Sequence, residues 1–513
     1  MPPSATSAPN LLLVTVDCLR ADHVGFHGYG RPTTPVLDRL AADAWRFERA
    51  IPAGIPTYYS FPAIQAGRPP LAHGRDVVGL APGEPTLATT LRDAGYRTAA
   101  FTAGNPYLTR RDGYDQGFDT FVDFLTGEIT PQDLLASEPS THGGARRRLE
   151  STLMGLARPV PWARKALDEL RFQVWTRRRR REEPPWVVLR RYPSADEVAA
   201  RSLAWLKSLD GSRPFFLWLH FMDPHHPYYP PPEAHELLGT EVVSSGRAHN
   251  LNALWCRDDV SVRRHRRIRQ QVVDLYDAGV RWVDHQLGRV VEALEELGAW
   301  DRTLFAFTGD HGEEFLERGG RYHSPFHLHR ELNHVPLVIR EPGGGSGTTL
   351  AEPTALTDLP PTLLGRLGID TPETFVGMDR LAANGSTDDA NDLDGVVVTE
   401  VVEGRRNPWQ PGDESGHRLM AAEIGSHKLV AHLASGEQKL FDLAADPDER
   451  HPLADSEAPE IRARLNRALL AHLRRSHHRR GESTAILGNL EVLRRRWQKQ
   501  GRKPALDKAP TAR

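Results

Sequence analysis

The chain of 513 residues has little of several features that would define its class at once. Only two cysteines are present, Cys18 and Cys256, which is too few for a disulfide framework or for a zinc site built from thiolates. No apolar run approaches the roughly 20 residues that a membrane-spanning helix needs. Neither sign of charge is in excess, because 65 Lys and Arg residues stand against 67 Asp and Glu residues. This balance excludes a globally basic nucleic-acid binder.

The composition is that of a globular protein. Hydrophobic residues make up 39% of the chain and charged residues 26%, so a large domain with a smaller second one can bury its cores. The first apolar stretch, residues 11–16, is too short for the apolar core of a signal peptide, and no lysine or arginine precedes it. We therefore expect a cytoplasmic protein without a membrane span.

Strand and helix patterns alternate along most of the chain. Short apolar runs predict strands at 11–16, 96–102, 214–219, 303–308 and 334–339. Apolar residues at helical spacing predict helices at 35–44, 86–94, 272–297 and 358–367. Such alternation predicts an α/β fold with a large, mostly parallel central sheet flanked by helices.

Three parts of the chain depart from this alternation. Residues 126–195 contain arginine runs and several prolines with weak periodicity, so we interpret them as an insertion or lid within a large domain of residues 1–380. Residues 383–418 are polar and rich in Gly, Asp and Asn, which is typical of a linker or surface excursion. The strand-rich segment 418–443 predicts a small C-terminal α+β subdomain over 381–480, followed by a basic, partly disordered tail over 481–513.

Polar residues that can ligate a metal follow three of the predicted strands. In an open parallel sheet, the carboxyl ends of the strands meet at one edge, so residues far apart in sequence can converge there. Carboxylate and imidazole ligands suit a divalent cation with open coordination positions. Asp17 could equally cap a helix or form an ion pair, and the Asp310–His311 pair could be a plain turn. The residues in question are Asp17, the Asp310–His311 pair, and His220 with Asp223 and His225.

Histidines also cluster in two loops. The sequence HFMDPHHP at 220–227 places His225 and His226 beside prolines, which indicates a rigid loop that faces a pocket. A second group, His323, His327 and His329, lies just downstream of Asp310. For each member of this second group, a scattered surface histidine is the open alternative.

A nucleophile is the remaining requirement of such a site. Residues 50–67 offer four hydroxyl groups, on Thr57, Tyr58, Tyr59 and Ser60. A threonine or serine hydroxyl is a poor nucleophile until a metal or a base lowers its pKa. A cation held by the carboxylates and imidazole named above could do this for Thr57.

The sequence VDCLRADHVGFHGYGRPTTPVLDRL at 16–40 resembles the opening of the sulfatase family, within the alkaline phosphatase superfamily. Further stretches resemble the family in family order, and the last of them resembles the family's small C-terminal domain. They are AGYRT at 94–98, GYDQGFD at 113–119, PFFLWLHFMDPHHP at 214–227, TGDHGEE at 308–314, HVPLV at 334–338, TDLPPTLLGRLG at 357–368 and KLFDLAADPDE at 439–449.

The resemblance implies roles for individual residues. Asp17 takes the place of the first metal carboxylate, and Asp310 with His311 that of the later metal pair. Cys18 stands where many sulfatases have a second acidic ligand, so that ligand is missing here. His225 matches a histidine that lies by the ester oxygens or the leaving group. The implied cofactor is one divalent cation, which could be Ca, Mg, Mn or Zn.

The sequence departs from the family at the nucleophile. Sulfatases carry Cys or Ser in a C/S-x-P-S/A-R stretch, oxidised to formylglycine, and this stretch falls on residues 57–61. Thr57 replaces the oxidisable residue, Tyr59 the proline and Phe61 the arginine. A threonine would yield a ketone rather than an aldehyde, so no formylglycine is expected. Superfamily relatives that process phosphoryl groups use threonine as the nucleophile.

Two further positions bear on the substrate. The lysine and histidine pair of well-studied sulfatases has no clear match, and TAGNPYL at 102–108 instead resembles a bacterial and archaeal branch with Asn-Pro. Asn105 could line the pocket or serve a plain turn. We expect His323 or His327 to hydrogen-bond the substrate together with His225.

The leading hypothesis is a metal-dependent hydrolase or transferase of sulfate or phosphate-type esters, with Thr57 as nucleophile. Its substrate would be a small molecule, a glycan or a lipid headgroup. The alternative is a catalytically degenerate binding protein, favoured by the departures at Cys18, Thr57 and Phe61 and opposed by the retained metal-ligand pattern. Nucleic acid is not an expected partner, although the basic run at 177–181 and the basic tail leave that alternative open. These arginines could instead guide an anionic substrate.

Overall fold

The computed structural model describes residues 8–71, 79–125, 184–323, 327–382, 395–402 and 418–476. Within these ranges it contains a large sheet with helices on both faces and a separate four-stranded antiparallel sheet. This confirms the predicted α/β architecture with a smaller α+β unit. Most of the predicted insertion, residues 126–183, and the predicted tail lie outside the described residues, and the domain boundary at 380 stays a prediction.

The strands are numbered in chain order as β1 (Asn10–Val16), β2 (Trp45–Ile51), β3 (Arg97–Phe101), β4 (Thr120–Val122), β5 (Phe215–Phe221), β6 (Thr303–Gly309), β7 (Glu314–Phe315), β8 (Arg321–Tyr322), β9 (Val335–Arg340), β10 (Thr349–Leu350), β11 (Thr354–Ala355), β12 (Val397–Val402), β13 (Arg418–Ile424), β14 (His427–His432) and β15 (Glu437–Asp442). The main helices are α1 (Pro35–Ala41), α2 (Thr57–Ala66), α3 (Leu87–Asp93), α4 (Ala195–Lys207), α5 (Pro232–Leu238), α6 (Ser245–Trp255), α7 (Val262–Glu296), α8 (Leu359–Arg366) and α9 (Pro459–Ser476). Two single-turn helices cover Trp186–Leu189 and Arg330–Asn333.

The large sheet has the strand order β10-β2-β9-β6-β1-β5-β3-β4, with β11 also paired to β2. Its strands pair in parallel except β9, which runs antiparallel to both β2 and β6. Strand β1 is buried along its whole length, as expected for the centre of a parallel sheet. Its side chains alternate between two apolar cores: Leu12 and Val14 pack with α4 and α7, and Leu11 and Leu13 with α2, α3 and α8.

Helix α7 is longer than the sequence predicts. It begins at Val262, ten residues before the predicted start at residue 272. This first part is rich in arginine, and His265 is its one fully buried side chain, so it carries almost no apolar periodicity. The remainder presents a regular apolar face to the sheet, which is why that part was predictable.

Several described elements have no counterpart among the predicted ones, β2 and α2 among them, and one prediction is wrong. Strand β2 and helix α2 carry no clear period: α2 is buried on every side, and Pro62 lies inside it. The segment 383–418 was interpreted as a linker, yet β12 lies within it and pairs with β13. Its sequence VVTEVV is rich in β-branched residues, and the polar residues around it masked that signal.

The small antiparallel sheet has the order β12-β13-β14-β15. Helix α9 covers one of its faces, where Leu465 and Leu469 pack on Met420 and Leu429. The other face packs on the large domain, around apolar side chains that flank α2 and residues 327–329, which we call the histidine loop: Ile55, Leu328 and Leu332. The small sheet is therefore joined to the large domain through an apolar contact.

The fold brings the carboxyl ends of β1, β5 and β6 together, because these three strands are parallel neighbours. Asp17 follows β1, Asp310 follows β6, and His225 lies in the loop after β5. In the part of the chain that is described, no helix has the length and apolar character that a bilayer crossing requires.

Candidate active site

Asp17 lies at the centre of the site. Its side chain is fully buried at the end of β1. Oδ2 accepts hydrogen bonds from the Thr57 hydroxyl at 3.2 Å and from the Asn105 amide at 2.9 Å. Nε2 of His220 lies 3.5 Å from the same oxygen. One carboxylate thus gathers groups from three separate parts of the chain.

Thr57 is the first residue of α2 and is 4% exposed. Its Oγ1 lies 3.2 Å from Oδ2 of Asp17 and 3.2 Å from Nε2 of His311. The first turn of a helix also presents backbone N–H groups and the positive end of the helix dipole, which favour a bound anion. The hydroxyl therefore lies between candidate metal ligands and a position suited to an oxyanion.

Asp310 and His311 follow β6. Oδ1 of Asp310 accepts hydrogen bonds from the backbone N–H of Cys18 at 3.2 Å and of His311 at 2.8 Å. Oδ2 is buried and has no hydrogen-bond donor among the described residues. Nε2 of His311 lies 3.6 Å from it. A buried carboxylate oxygen without a donor is costly, so this atom is suited to ligate a cation.

The donor atoms fit a divalent cation. One ligand atom each from Asp17, Asp310 and His311 lies within 4.8 Å of the others. Nδ1 of His311 faces the carbonyl oxygen of Gly312 at 2.9 Å, which leaves Nε2 free to ligate. Two carboxylates and one imidazole suit a hard or borderline cation that keeps open positions for substrate.

The pKa values of the site residues are shifted because several ionisable groups lie close together in a buried volume. Burial raises the pKa of Asp17, but the neighbouring histidines, above all His225, outweigh it and lower the pKa below its ordinary range. Burial and the nearby Asp17 raise the pKa of Asp310 well above its ordinary value. Burial, with His323 next to it, lowers the pKa of His311 to about 3, so this imidazole is neutral and available as a ligand.

A second group of side chains adjoins the first. Cys18 has a left-handed backbone with φ of 58°, and its thiol donates to Oδ1 of Asp17 at 3.1 Å. Sγ lies 3.6 Å from Nδ1 of His323. The His323 ring centroid lies 4.9 Å from that of His311 and 5.3 Å from that of His225. The thiol of Cys18 and the imidazoles of His225, His311 and His323 therefore lie side by side next to the carboxylates.

Several residues singled out in the sequence lie elsewhere or have another contact. His327 contacts Oε2 of Glu314 at 2.6 Å rather than Thr57 or Asp17, so its role as a substrate contact stays a prediction. Asn105 is 2% exposed and its amide donates to Oδ2 of Asp17, so it is placed to orient this carboxylate, and its role as a substrate contact stays a prediction. Asp223 accepts from the backbone N–H of Ala195 at 3.2 Å, so it caps α4 instead of joining the candidate metal ligands.

Other residues of the site were not identified from the sequence as part of it. Glu313 is fully buried, with Oε1 3.5 Å from Nδ1 of His323 and Oε2 accepting from the Tyr228 hydroxyl at 3.1 Å. Ser60 donates to the carbonyl oxygen of Asp310 at 2.7 Å. Glu313 could have been predicted as a site residue, because it lies only three residues after Asp310. Nothing in the sequence indicates that Tyr228 belongs to the site.

The sequence profile of the family described as Sulfatase matches residues 9–369. The chain belongs to the sulfatase family. An arylsulfatase of Clostridium perfringens is 25% identical, over 90% of this chain and 93% of its own length. The multifunctional alkaline phosphatase superfamily protein PehA of Trinickia caryophylli is 26% identical, over 88% of this chain and 92% of its own length.

Solved structures of other proteins share the fold of this chain. The phosphonate monoester hydrolase of Agrobacterium radiobacter matches with a TM-score of 0.56 and 23% identity, over 91% of this chain and 96% of its own. The protein BT4656, solved with D-glucosamine-2-N,6-O-disulfate as its substrate, matches with a TM-score of 0.65 and 17% identity, over 92% and 98%. The curated relatives are ester hydrolases, and membership of this family confirms the prediction of an enzyme of that class.

Proposed function

We propose that this sulfatase-family chain cleaves phosphate- or phosphonate-type esters through Thr57, with one divalent cation bound by Asp17, Asp310 and His311. One observation carries the proposal: Oγ1 of Thr57 lies 3.2 Å from both Oδ2 of Asp17 and Nε2 of His311. A hydroxyl in that position is itself a candidate ligand. When bound, the cation would lower the pKa of this hydroxyl and neutralise charge on the ester oxygens.

The chemistry requires two displacements at phosphorus. Oγ1 of Thr57 attacks phosphorus in line while the alcohol oxygen of the ester departs with its bonding electrons, and the proton of the Thr57 hydroxyl ends on that departing oxygen. Water or an acceptor alcohol then attacks the phosphothreonine from the same side as the departed alcohol and restores the Thr57 hydroxyl. The positive end of the α2 dipole would stabilise the oxygens that gain charge, and the imidazoles of His225 and His323 would donate hydrogen bonds to them.

The identity of the nucleophile favours phosphorus over sulfur. A hydrated aldehyde carries two hydroxyl groups on one carbon and can expel a bound sulfate by elimination, without a second attack at sulfur. Thr57 has a single hydroxyl, so a group transferred to it leaves only by a second attack at the central atom. Phosphoryl groups undergo that attack readily with a cation present. The relatives PehA and phosphonate monoester hydrolase are consistent with this choice.

The test is a substrate panel with variants of Thr57. The cation-loaded chain is assayed with p-nitrophenyl phosphate, bis(p-nitrophenyl) phosphate, p-nitrophenyl phenylphosphonate and p-nitrophenyl sulfate. We expect turnover of at least one phosphorus ester and much slower turnover of the sulfate. Thr57→Val, which keeps the shape of the side chain, is expected to lower kcat by about 10³-fold or more, and Thr57→Ser to retain a measurable rate.

A quenched reaction locates the covalent group. Peptide mass spectrometry of the acid-quenched wild-type protein should find the phosphoryl group on Thr57, and none on that peptide in Thr57→Val. Undiminished turnover in Thr57→Val, or the group on another residue, would overturn the nucleophile. Turnover of the sulfate alone would overturn the choice of phosphorus, and no turnover of any ester would favour the binding-protein alternative.

A further inference from the structure

We propose that Arg191 and Tyr192 bind the departing alcohol of the substrate and select alcohols that carry a carboxylate. Both residues lie between the single-turn helix Trp186–Leu189 and α4, at the described end of the predicted insertion. The proposal rests on the proposed function for the placement of the ester beside Thr57. It adds the substrate class, which the candidate metal ligands and Thr57 leave undetermined.

Tyr192 packs against the candidate active site through His225. The two ring centroids lie 5.4 Å apart, and the ring planes are almost perpendicular, at 82°. A ring nitrogen of His225 lies within 4.8 Å of ligand atoms of Asp17 and Cys18. Burial raises the pKa of Tyr192, and the nearby Asp17 raises it further, so the phenol keeps its proton at neutral pH. Tyr192 therefore supplies a hydrogen-bond donor next to the site.

The hydroxyl of Tyr192 is available to a ligand. Within the described ranges it has no hydrogen-bond partner. Two other tyrosines near the site already use their hydroxyls: that of Tyr228 donates to Oε2 of Glu313 at 3.1 Å, and that of Tyr276 donates to the carbonyl oxygen of Cys18 at 2.8 Å. Of these three tyrosines, Tyr192 is the one that can donate to a substrate.

Arg191 adds a positive charge beside Tyr192. The two side chains line one cleft together with His225, and the side chain of Arg191 is exposed. Burial and His225 lower the pKa of His226, and Arg191 lowers it further, so its charge acts on the loop after β5. In the described part of the chain, Arg191 forms no ion pair. Its guanidinium is therefore available to an acidic group of a ligand.

Arg321 also lies near this loop but has partners of its own. Its Nη2 lies 2.7 Å from Oδ1 of Asp258. Its guanidinium lies over the ring of Trp255, 6.0 Å from the ring centroid. Of these two arginines, Arg191 is thus the one that can bind an anion without losing an ion pair.

The cleft lies on the side toward which the alcohol would depart. Oγ1 of Thr57 lies 3.2 Å from Oδ2 of Asp17, whereas Sγ of Cys18 lies 3.1 Å from Oδ1. His225 belongs to the Cys18 side, with a ring nitrogen within 4.8 Å of Sγ. In an in-line displacement the alcohol leaves opposite the attacking oxygen. An alcohol expelled by Thr57 would therefore point toward His225 and Tyr192.

A carboxylate suits these two side chains. The guanidinium of an arginine presents paired N–H donors that match two carboxylate oxygens, and the phenol adds a further donor. The cleft has a volume of about 20 Å³, which is room for about one water molecule. So small a cleft favours a planar carboxylate over a tetrahedral phosphate. The expected substrate is therefore a phosphorus ester of a hydroxy acid.

The experiment measures binding to the full chain loaded with Zn²⁺ by isothermal titration calorimetry. The ligands are 4-carboxybenzylphosphonate and 4-carbamoylbenzylphosphonate, in which a methylene replaces the ester oxygen, so that no alcohol can leave. We expect wild-type protein to bind the carboxylate about 10-fold more tightly than the neutral carbamoyl compound, because hydrogen bonds to a charged group are stronger. In Arg191→Gln this ratio should fall to about one, and in Tyr192→Phe to an intermediate value.

Arg213→Gln is the matched control, because Arg213 is exposed and precedes β5, at the end of the strand away from His225. It should keep the wild-type ratio. Equal affinity of wild type for the two ligands, no binding of either, or an unchanged ratio in Arg191→Gln would overturn the proposal. Failure of the proposed function is a separate result, because it would appear as undiminished turnover in Thr57→Val, whereas the phosphonates report affinity without turnover.

Discussion

Nζ of Lys428 lies 2.9 Å from Oε1 of Glu449, and each of the two side chains is 1% exposed. Lys428 belongs to β14 of the small sheet, and Glu449 follows β15. Oε1 of Glu449 also accepts the backbone N–H of Arg330 at 3.0 Å, and Oε2 contacts Nδ1 of His329 at 2.5 Å. This buried ion pair thus fixes the segment that follows the histidine loop of the candidate active site.

Replacing Lys428 should destabilise the protein strongly. Lys428→Met removes the cation and leaves the buried carboxylates of Glu449 and Glu423 without it, which costs about 3–5 kcal/mol. The free energy of unfolding in urea measures this. Lys439→Met is the matched control, because Lys439 is 52% exposed on the neighbouring strand, and it should change stability by less than about 0.5 kcal/mol. Equal effects of the two substitutions would contradict the importance of the buried pair.

The same pair predicts how stability depends on pH. Burial raises the pKa of Glu449, but Lys428 and His329 outweigh it and lower the pKa to about 2. A glutamate in the unfolded chain has a pKa of about 4.3. The stabilisation by the ionised Glu449 is therefore fully present above that pH and is lost as the pH falls toward 2. The difference in unfolding free energy between wild type and Glu449→Gln should therefore shrink between about pH 5 and pH 2. A difference that stays constant over this range would argue against this linkage. Glu437→Gln is the control, because Glu437 is exposed, and its unfolding free energy should differ little from that of wild type at any pH.

Asn105 should affect cation binding through Asp17. Asn105→Ala removes the amide that donates to Oδ2 of Asp17, and loss of such an orienting group costs about 10–100-fold in metal affinity. Titration of the chelator-treated protein with Co²⁺ or Zn²⁺ measures the change. Asn466→Ala is the control, because Asn466 is equally buried but bonds to Gln438 in the small domain. Its affinity for the cation should match that of wild type, and an unchanged affinity in Asn105→Ala would refute the orienting role.

Gly312 has no room for a side chain. A Cβ at this position would lie 2.0 Å from the backbone oxygen of Glu331, so Gly312→Ala must displace the turn that carries His311. We expect a loss of about 1–3 kcal/mol in stability, measured by urea unfolding, together with weaker cation binding. Gly30→Ala serves for comparison, because no atom lies within 4 Å of its Cβ. If both glycine variants had the stability and the cation affinity of wild type, the close contact between Gly312 and the backbone of Glu331 would be contradicted.

The sequence could predict where the central strands end and which side chains stand at those ends. Strands β1 and β6 are short apolar runs, and each is followed at once by a carboxylate, Asp17 or Asp310. Because the carboxyl ends of neighbouring parallel strands lie at the same edge of a sheet, the sequence predicts that these two residues are close together. That part of the site depends on local pattern and topology, which a single sequence carries.

The positions that the sequence could not resolve depend on packing between distant segments. His323 and His327 belong to the same loop, yet His323 lies against Cys18 whereas His327 lies against Glu314. Strand β12 was missed for another reason: its pairing with β13 is a tertiary contact, and its polar surroundings resemble a linker.

The apolar contact between the small sheet and the large domain limits how the protein can be shortened for expression. Ile55, two residues before the candidate nucleophile, and Leu328, in the histidine loop, both pack beneath that sheet. A polypeptide truncated before β12 would expose these apolar side chains to water, and it would aggregate or misplace the two loops of the candidate site. The two halves should instead regain solubility and activity when they are expressed together and allowed to reassociate.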